Sequence, residues 1–341
     1  MPVQLRVPRL VCVGSDFSGL DTGIFALKRL QLPVEVSFCS DTDPHCRKLL
    51  EAAHKPKCFF DDAEQRKPED EIPVDVYIST PPCQPWSSQG KRKGLQDPRG
   101  RLLKVPLRYT KRHKPRVFLM ENVKGLCHRK NKPVLRGIRA TLEKLDYRVW
   151  LGVLNAVDFQ IPQKRQRLFI VAIRKDSCRR PFKWPKKLGK RRLSEALDPM
   201  QAADRPGRLP KNQRAKALAL AACRKVNKEG IDPRQVPVAI DVGCSQKYAT
   251  FGIDVSRTLS QARAKTGGFW ISSRGRYMTT NEMLKVSGFQ SSEMPDWNQH
   301  VSKTQLQGML GNCVPIPLVG CVLQNALYAA GLISKLAPFP V

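Results

Sequence analysis

The chain has 341 residues, 41% of them hydrophobic, and carries 60 Lys and Arg against 29 Asp and Glu for a formal charge of +31. That length holds one large α/β domain plus a smaller one, and no apolar run reaches the ~20 residues needed to span a bilayer. So large a positive excess favours a polyanionic partner, because neutralising phosphates releases condensed counterions. No basic amphipathic helix with an aromatic face stands out, which favours nucleic acid over an anionic membrane. The eleven cysteines, with no Cys-x-x-Cys pair, fit neither a disulfide scaffold nor a zinc site, and no metal is expected. The N-terminus lacks the apolar core of a signal peptide, so a soluble intracellular protein is expected.

In chain order, Val11-Cys12-Val13 reads as a short strand running into a glycine-containing loop over 14–23, followed by a helix over 24–30. A second strand (34–39) is closed by Asp41 and leads to a helix over 44–53. A weak strand at 58–60 precedes Asp61 and Asp62. The β-branched and aromatic run from Val74 to Ser79 predicts a buried strand ending at Cys83. A fifth strand (116–120) precedes Glu121-Asn122-Val123. A helix over 134–145 and strands over 147–154 and 168–173 complete a βαβ alternation. That alternation predicts a Rossmann-like α/β fold, with a mostly parallel sheet covered by helices on both faces.

Beyond Arg174 the alternation stops. Residues 174–230 hold 18 Lys and Arg against 5 acids, broken by a predicted helix over 212–225. Patterning resumes near Arg257, with a helix over 280–286 and an apolar helix over 314–330. The expected division is 1–175 as a catalytic domain, 176–255 as a smaller basic domain, and 256–341 as a return to the first.

Several segments carry candidate chemistry. Pro81-Pro82-Cys83-Gln84-Pro85-Trp86 puts one cysteine on a proline-stiffened turn at a strand's end, where open α/β sheets place their chemistry. The first loop is glycine-rich and opens a helix, and Asp41 lies 22 residues after Gly19, which is the logic of a nucleotide-type cofactor site. The glycine pattern is not G-x-G-x-x-G, which disfavours a dinucleotide. Asp62 either accepts from an adenine amine or caps a turn. Glu121 is an acid at the sheet's carboxyl edge, and alternation sends Arg165 and Arg167 to one face as the seventh strand begins. Finally, residues 91–136 carry 16 Lys and Arg with only Asp97 and Glu121 as acids.

Together these segments resemble the cytosine-C5 DNA methyltransferase family over roughly residues 10–173 and 255–330. Phe17-Ser18-Gly19-Leu20 is similar to motif I, Asp41 to the acid of motif II, and Pro81-Pro82-Cys83-Gln84 to motif IV. Glu121-Asn122-Val123 is similar to motif VI, Gln163-x-Arg165-x-Arg167 to motif VIII, Arg257-Thr258-Leu259-Ser260 to motif IX, and Gly311-Asn312-Cys313-Val314 to motif X. Three positions depart from the family. Asp21-Thr22-Gly23 replaces a glycine pair, Thr42 stands where an aromatic often follows the motif II acid, and Cys313 replaces a serine.

The resemblance implies an enzyme that transfers a methyl group from S-adenosylmethionine to C5 of cytosine in double-stranded DNA. Cys83 is the implied nucleophile at C6 of a flipped-out base, and cationic surroundings should favour its thiolate. Glu121 is implied to face N3, Arg165 to hold O2, and Arg167 to support them. Phe17, Ser18, Gly19, Leu20, Asp41, Thr42, Asp62, Pro81, Asn312 and Val314 are the implied cofactor contacts. The basic segment 86–104 is suited to close over the DNA backbone. Residues 176–255 form the implied target-recognition region, with most cations on phosphates and a few side chains reading bases. Alternatives are a tRNA cytosine-C5 methyltransferase, a catalytically silent DNA-binding accessory protein and a thiol redox enzyme, the last disfavoured by the lack of a resolving cysteine near Cys83. The expected location is the nucleus in a eukaryote, and the nucleoid or cytoplasm in a bacterium.

Overall fold

The computed structural model describes residues 10–87, 92–244, 250–294 and 296–341. The described chain forms two compact units. The first contains the residues up to Leu154 together with 166–186 and 318–340; the second contains 155–165, 187–317 and Val341. These packing units cut the chain elsewhere than the expected functional division at 175/176 and 255/256.

The first unit is built on a seven-stranded sheet. Its strands are β1 (Val11–Asp16), β2 (Val34–Ser40), β3 (Cys58–Phe60), β4 (Val76–Ser79), β5 (Val117–Val123), β6 (Tyr147–Asn155) and β7 (Gln166–Arg174), in the order β3-β2-β1-β4-β5-β7-β6. β1, β2, β3, β4 and β5 pair in parallel, whereas β7 runs antiparallel to β5. The order in which successive strands are added reverses between β1 and β4, so the loops leaving those strands flank the switch point at which such sheets bind ligands.

Helices α1 (Thr22–Arg29), α2 (Pro44–His54), α3 (Pro98–Arg101), α4 (Lys104–His113) and α5 (Lys132–Lys144) belong to this unit. Both sheet faces are buried. Phe38, Tyr77, Phe118, Met120, Leu168 and Ile170 form one core with Tyr109 of α4 and Ile138 and Leu142 of α5, while alternate residues such as Val76, Val117, Leu119, Val171 and Ile173 are buried as well. Burial on both faces explains why these strands read as continuous apolar runs.

Two predicted boundaries move, and one helix appears that the sequence did not suggest. β4 ends at Ser79, not Cys83, because Pro81 and Pro82 have no N–H with which to continue the ladder. Glu121, Asn122 and Val123 lie within β5, with Val123 opposite Arg167 of β7. The α4 helix escapes the hydrophobic pattern because it is highly charged and contains Pro106. That proline is tolerated in the first turn, where backbone N–H groups lack intrahelical acceptors anyway.

The second unit holds an antiparallel sheet of order β11-β10-β8-β9, formed by β8 (Val238–Ile240), β9 (Phe251–Ile253), β10 (Trp270–Ile271) and β11 (Arg276–Tyr277). Helix α6 (Gln213–Lys228) starts at Asn212, whose side chain accepts from Ala215 N–H, and lays Ala215, Ala219, Ala222 and Val226 against Val238, Ile240 and Trp270. Helices α7 (Gln261–Lys265), α8 (Thr280–Val286), α9 (Trp297–His300) and α10 (Lys303–Asn312) follow. Gly311 and Asn312 therefore close α10 and do not open the last helix, α11 (Ile316–Ala329). Among the described residues no single helix is long and apolar enough to cross a membrane.

Candidate active site

The β1–α1 loop is held in a conformation with left-handed φ at Phe17 (57°), Gly19 (54°) and Asp21 (44°). Ser18 fixes it: its hydroxyl donates to the Ser15 carbonyl and hydroxyl and accepts from Ser40 N–H. Gly19 N–H donates to Asp41 Oδ2 at 2.7 Å, and Asp43 N–H donates to Asp41 Oδ1 at 3.0 Å. Thus the residues of the first two motifs form one arrangement. A Cβ at Gly19 would meet nothing within 4 Å, so open space lies over a backbone that only glycine adopts without strain. Burial raises the Asp41 carboxyl above its ordinary value.

Leu20 is buried beneath the loop, and Thr42 is exposed. Asp21 caps α1 by accepting from Ile24 N–H, and its burial pushes its carboxyl up to about 6. Asp62 accepts from Glu64 N–H at 2.8 Å, so the turn-capping reading is realised in this structure.

Cys83 sits half-buried in the turn after β4. Its carbonyl accepts from both Trp86 N–H (3.0 Å) and Ser87 N–H (2.9 Å), which closes the turn. Thr80 anchors the approach by donating its hydroxyl to the Phe17 carbonyl at 2.7 Å. Asn122 Nδ2 donates to the Pro81 carbonyl at 3.0 Å and so ties the end of β5 to the Cys83 turn. Beside it, the buried Glu121 carboxylate receives Arg167 Nε at 2.9 Å. Cys83, Glu121 and Arg167 therefore lie at the ends of adjoining strands of one sheet.

Two glycines hold this turn from behind. A Cβ at Gly125 would come within 2.1 Å of the Trp86 carbonyl oxygen, and one at Gly94 would press on the Trp86 ring at 3.3 Å. Arg99 pairs with Asp97 at 2.8 Å. That carboxylate holds the Arg99 guanidinium above its ordinary value. Of the predicted basic segment 86–104, residues 88–91 lie outside the described residues.

The other predicted residues belong to the second unit. Arg165 is fully buried and donates to the Leu259 carbonyl at 2.7 Å and the Gly311 carbonyl at 3.1 Å. Gln163 Oε1 accepts from Leu259 N–H, and a Cβ on Gly311 would come within 2.5 Å of the Gln261 backbone. The segments resembling motifs VIII, IX and X are thus packed around one guanidinium. Asn312 is exposed and Val314 buried.

A buried polar network escapes sequence reading. Asp16, at the end of β1, receives a bidentate ion pair from Arg66 (2.8 and 2.9 Å) and a 2.5 Å hydrogen bond from the Tyr77 hydroxyl. The Arg66 guanidinium lies over the rings of Phe38, Phe60 and Tyr109. Since Arg66 N–H also donates to the Asp62 carbonyl, the network joins the loops after β1 and β3. Its sequence signal is an acid ending an apolar strand, and nothing in the pattern names its partners.

Compared with known proteins, residues 14–327 match the family model of C-5 cytosine-specific DNA methylases. The chain is 28% identical over 334 residues to the type II methyltransferase M.HhaI of Haemophilus parahaemolyticus, covering 95% of each chain. It is 34% identical over 177 residues to M.MthTI of Methanothermobacter thermautotrophicus, covering 52% of each. Among solved structures, the Dnmt2 methyltransferase of S. pombe aligns with a TM-score of 0.64 at 17% identity, covering 93% of this chain and 98% of that one. The methyltransferase EhMeth of Entamoeba histolytica aligns at 0.65 and 18%, covering 94% and 98%.

Proposed function

The chain belongs to the C-5 cytosine-specific DNA methylase family, and from that premise we propose how its own residues carry the reaction. It transfers a methyl group from S-adenosylmethionine to C5 of cytosine in DNA. When bound, S-adenosylmethionine supplies an electrophilic methyl group. The β1–α1 loop suits such a ligand: the space over Gly19 is open, and the Asp41 carboxylate, already accepting two amides, keeps lone pairs for a ribose diol.

Cytosine C5 is a weak nucleophile. The Cys83 thiolate adds to C6, forming the S–C6 bond and shifting the ring electrons toward N3; the resulting enamine C5 takes the methyl group as the donor's CH3–S bond breaks and S-adenosylhomocysteine leaves. Glu121 faces N3 and manages the proton there, with Arg167 fixing its Oε1. Loss of the C5 proton then expels the thiolate and restores the ring. The observation that carries this assignment is the Asn122–Pro81 hydrogen bond, which locks the strand bearing Glu121 to the turn bearing Cys83. For Arg165 we assign the positioning of the Leu259 and Gly311 backbone.

The substrate we propose is duplex DNA, with the target base turned out of the stack at a cost of a few kcal/mol. Residues 176–255, which include α6 and β8, serve as the target-recognition region. The test is incubation with S-adenosylmethionine and a duplex carrying 5-fluorocytosine, because once C5 is methylated its fluorine cannot leave as a proton does and the thiolate stays bound. The wild-type protein should form a denaturation-resistant adduct and Cys83→Ser none. An adduct that survives in Cys83→Ser would overturn the assignment of the nucleophile.

A further inference from the structure

The segment joining β5 to α5 holds a concentration of charge that the reaction above does not use. Between Glu121 and Glu143 there is no acid, but there are Lys124, His128, Arg129, Lys130, Lys132, Arg136 and Arg139. His128, Arg129, Lys130, Lys132, Pro133 and Arg136 line a concavity of about 640 Å³. Among the described residues no carboxylate pairs with any of these five basic side chains, whereas Arg139 nearby is paired with Glu143 at 2.7 Å. Cations crowded around an open, shallow concavity repel one another and raise the local positive potential, which favours an anion from outside. A solvated convex face needs no such occupant.

The hollow is rigidly joined to the nucleophile's turn. Asn131, which is buried between the basic residues, donates Nδ2 to the Gly125 carbonyl at 2.9 Å. Gly125 packs on the Trp86 carbonyl, and Trp86 N–H closes the Cys83 turn. Lys130 Nζ donates to the Arg92 carbonyl at 2.7 Å. In addition, α5 begins with no side-chain cap, so first-turn N–H groups add positive potential at the same place.

We propose that this hollow is a second anion site, which takes a backbone phosphate of the same DNA whose cytosine is presented to Cys83. It rests on the DNA-methylating function proposed above. The site carries no base-reading role: it adds affinity for the strand beside the catalytic turn and carries no sequence information.

The experiment compares Arg129→Ala/Lys132→Ala/Arg136→Ala with a charge-matched control, Lys48→Ala/Lys67→Ala/Lys144→Ala, whose residues are exposed on the same unit. Binding to a target duplex is measured across a salt series, and methyl transfer at saturating duplex. For the pocket variant the slope of log affinity against log salt should fall by about 1, at roughly 0.9 for the one phosphate no longer neutralised, with kcat within about twofold of wild type. Arg129→Lys/Arg136→Lys should restore the slope. A pocket variant with the wild-type slope, or one changed no more than the control, overturns the proposal. Transfer by the wild-type protein reports separately on the parent function, so methylation with an unchanged pocket slope sinks the pocket alone.

Discussion

Exchanging Cys83 for serine replaces a polarisable sulfur with a hydroxyl that is far harder to ionise and a weaker nucleophile. Methyl transfer should fall below detection while duplex affinity stays within about threefold, as read by a labelled-methyl assay beside a binding titration. Gly125 is a different kind of requirement. Its Cβ would overlap the Trp86 carbonyl, so Gly125→Ala must push the Cys83 turn aside. A displacement near 1 Å costs on the order of 10²-fold in rate, and kcat should fall by that much with the circular dichroism unchanged. Asp21 predicts a pH effect. Its folded carboxyl is raised to about 6 by burial, above the ordinary ~3.9 of an exposed aspartate. Between these values the folded state binds more protons than the unfolded chain, so this group weakens the fold as pH rises through the window. Asp21→Asn should therefore raise Tm at pH 8, by up to about 3 kcal/mol in free energy, and lose that advantage as pH falls from 6 to 4.

At the scale of elements, two buried arginines hold loops in place. Removing one partner of a buried ion pair typically costs about 3–5 kcal/mol, and Arg66→Ala strands Asp16 between the loops after β1 and β3. Denaturant unfolding should register that loss, and the KM for S-adenosylmethionine should rise more than kcat falls. The sheet was legible because strands buried on both faces leave long apolar runs, and each predicted strand has its counterpart within a few residues. The Cys83 turn was legible from prolines after an apolar strand, and Glu121 from an acid in the last residues of one. What pattern could not show was contact between distant side chains: Asp16 with Arg66 and Tyr77, Asn122 with Pro81, and Gly125 with Trp86. The second sheet was missed because β10 and β11 are two residues each, too short for alternation to appear. The α10 helix was missed because its Leu306–Gly311 stretch is buried all round and so shows no one-sided stripe.

For the molecule as a whole, the net charge of +31 makes binding an ion-exchange event. Duplex affinity should fall by roughly 10³-fold or more between low and moderate salt if six or more phosphates are contacted; a flat titration would remove phosphate contact as its basis. The two units carry different parts of the proposed machinery. One carries the open loop over Gly19, Asp41 and the Cys83–Glu121 pair of strand ends; the other carries the Arg165 cluster and the basic region with its own small sheet. The most direct measurement of the central claim is transfer of labelled methyl from S-adenosylmethionine to duplex DNA and, in parallel, to tRNA, with Cys83→Ala as control. Label recovered as C5-methylcytosine in DNA, and lost in the variant, is the predicted result. Label in tRNA alone, or label in DNA that persists without Cys83, would contradict it.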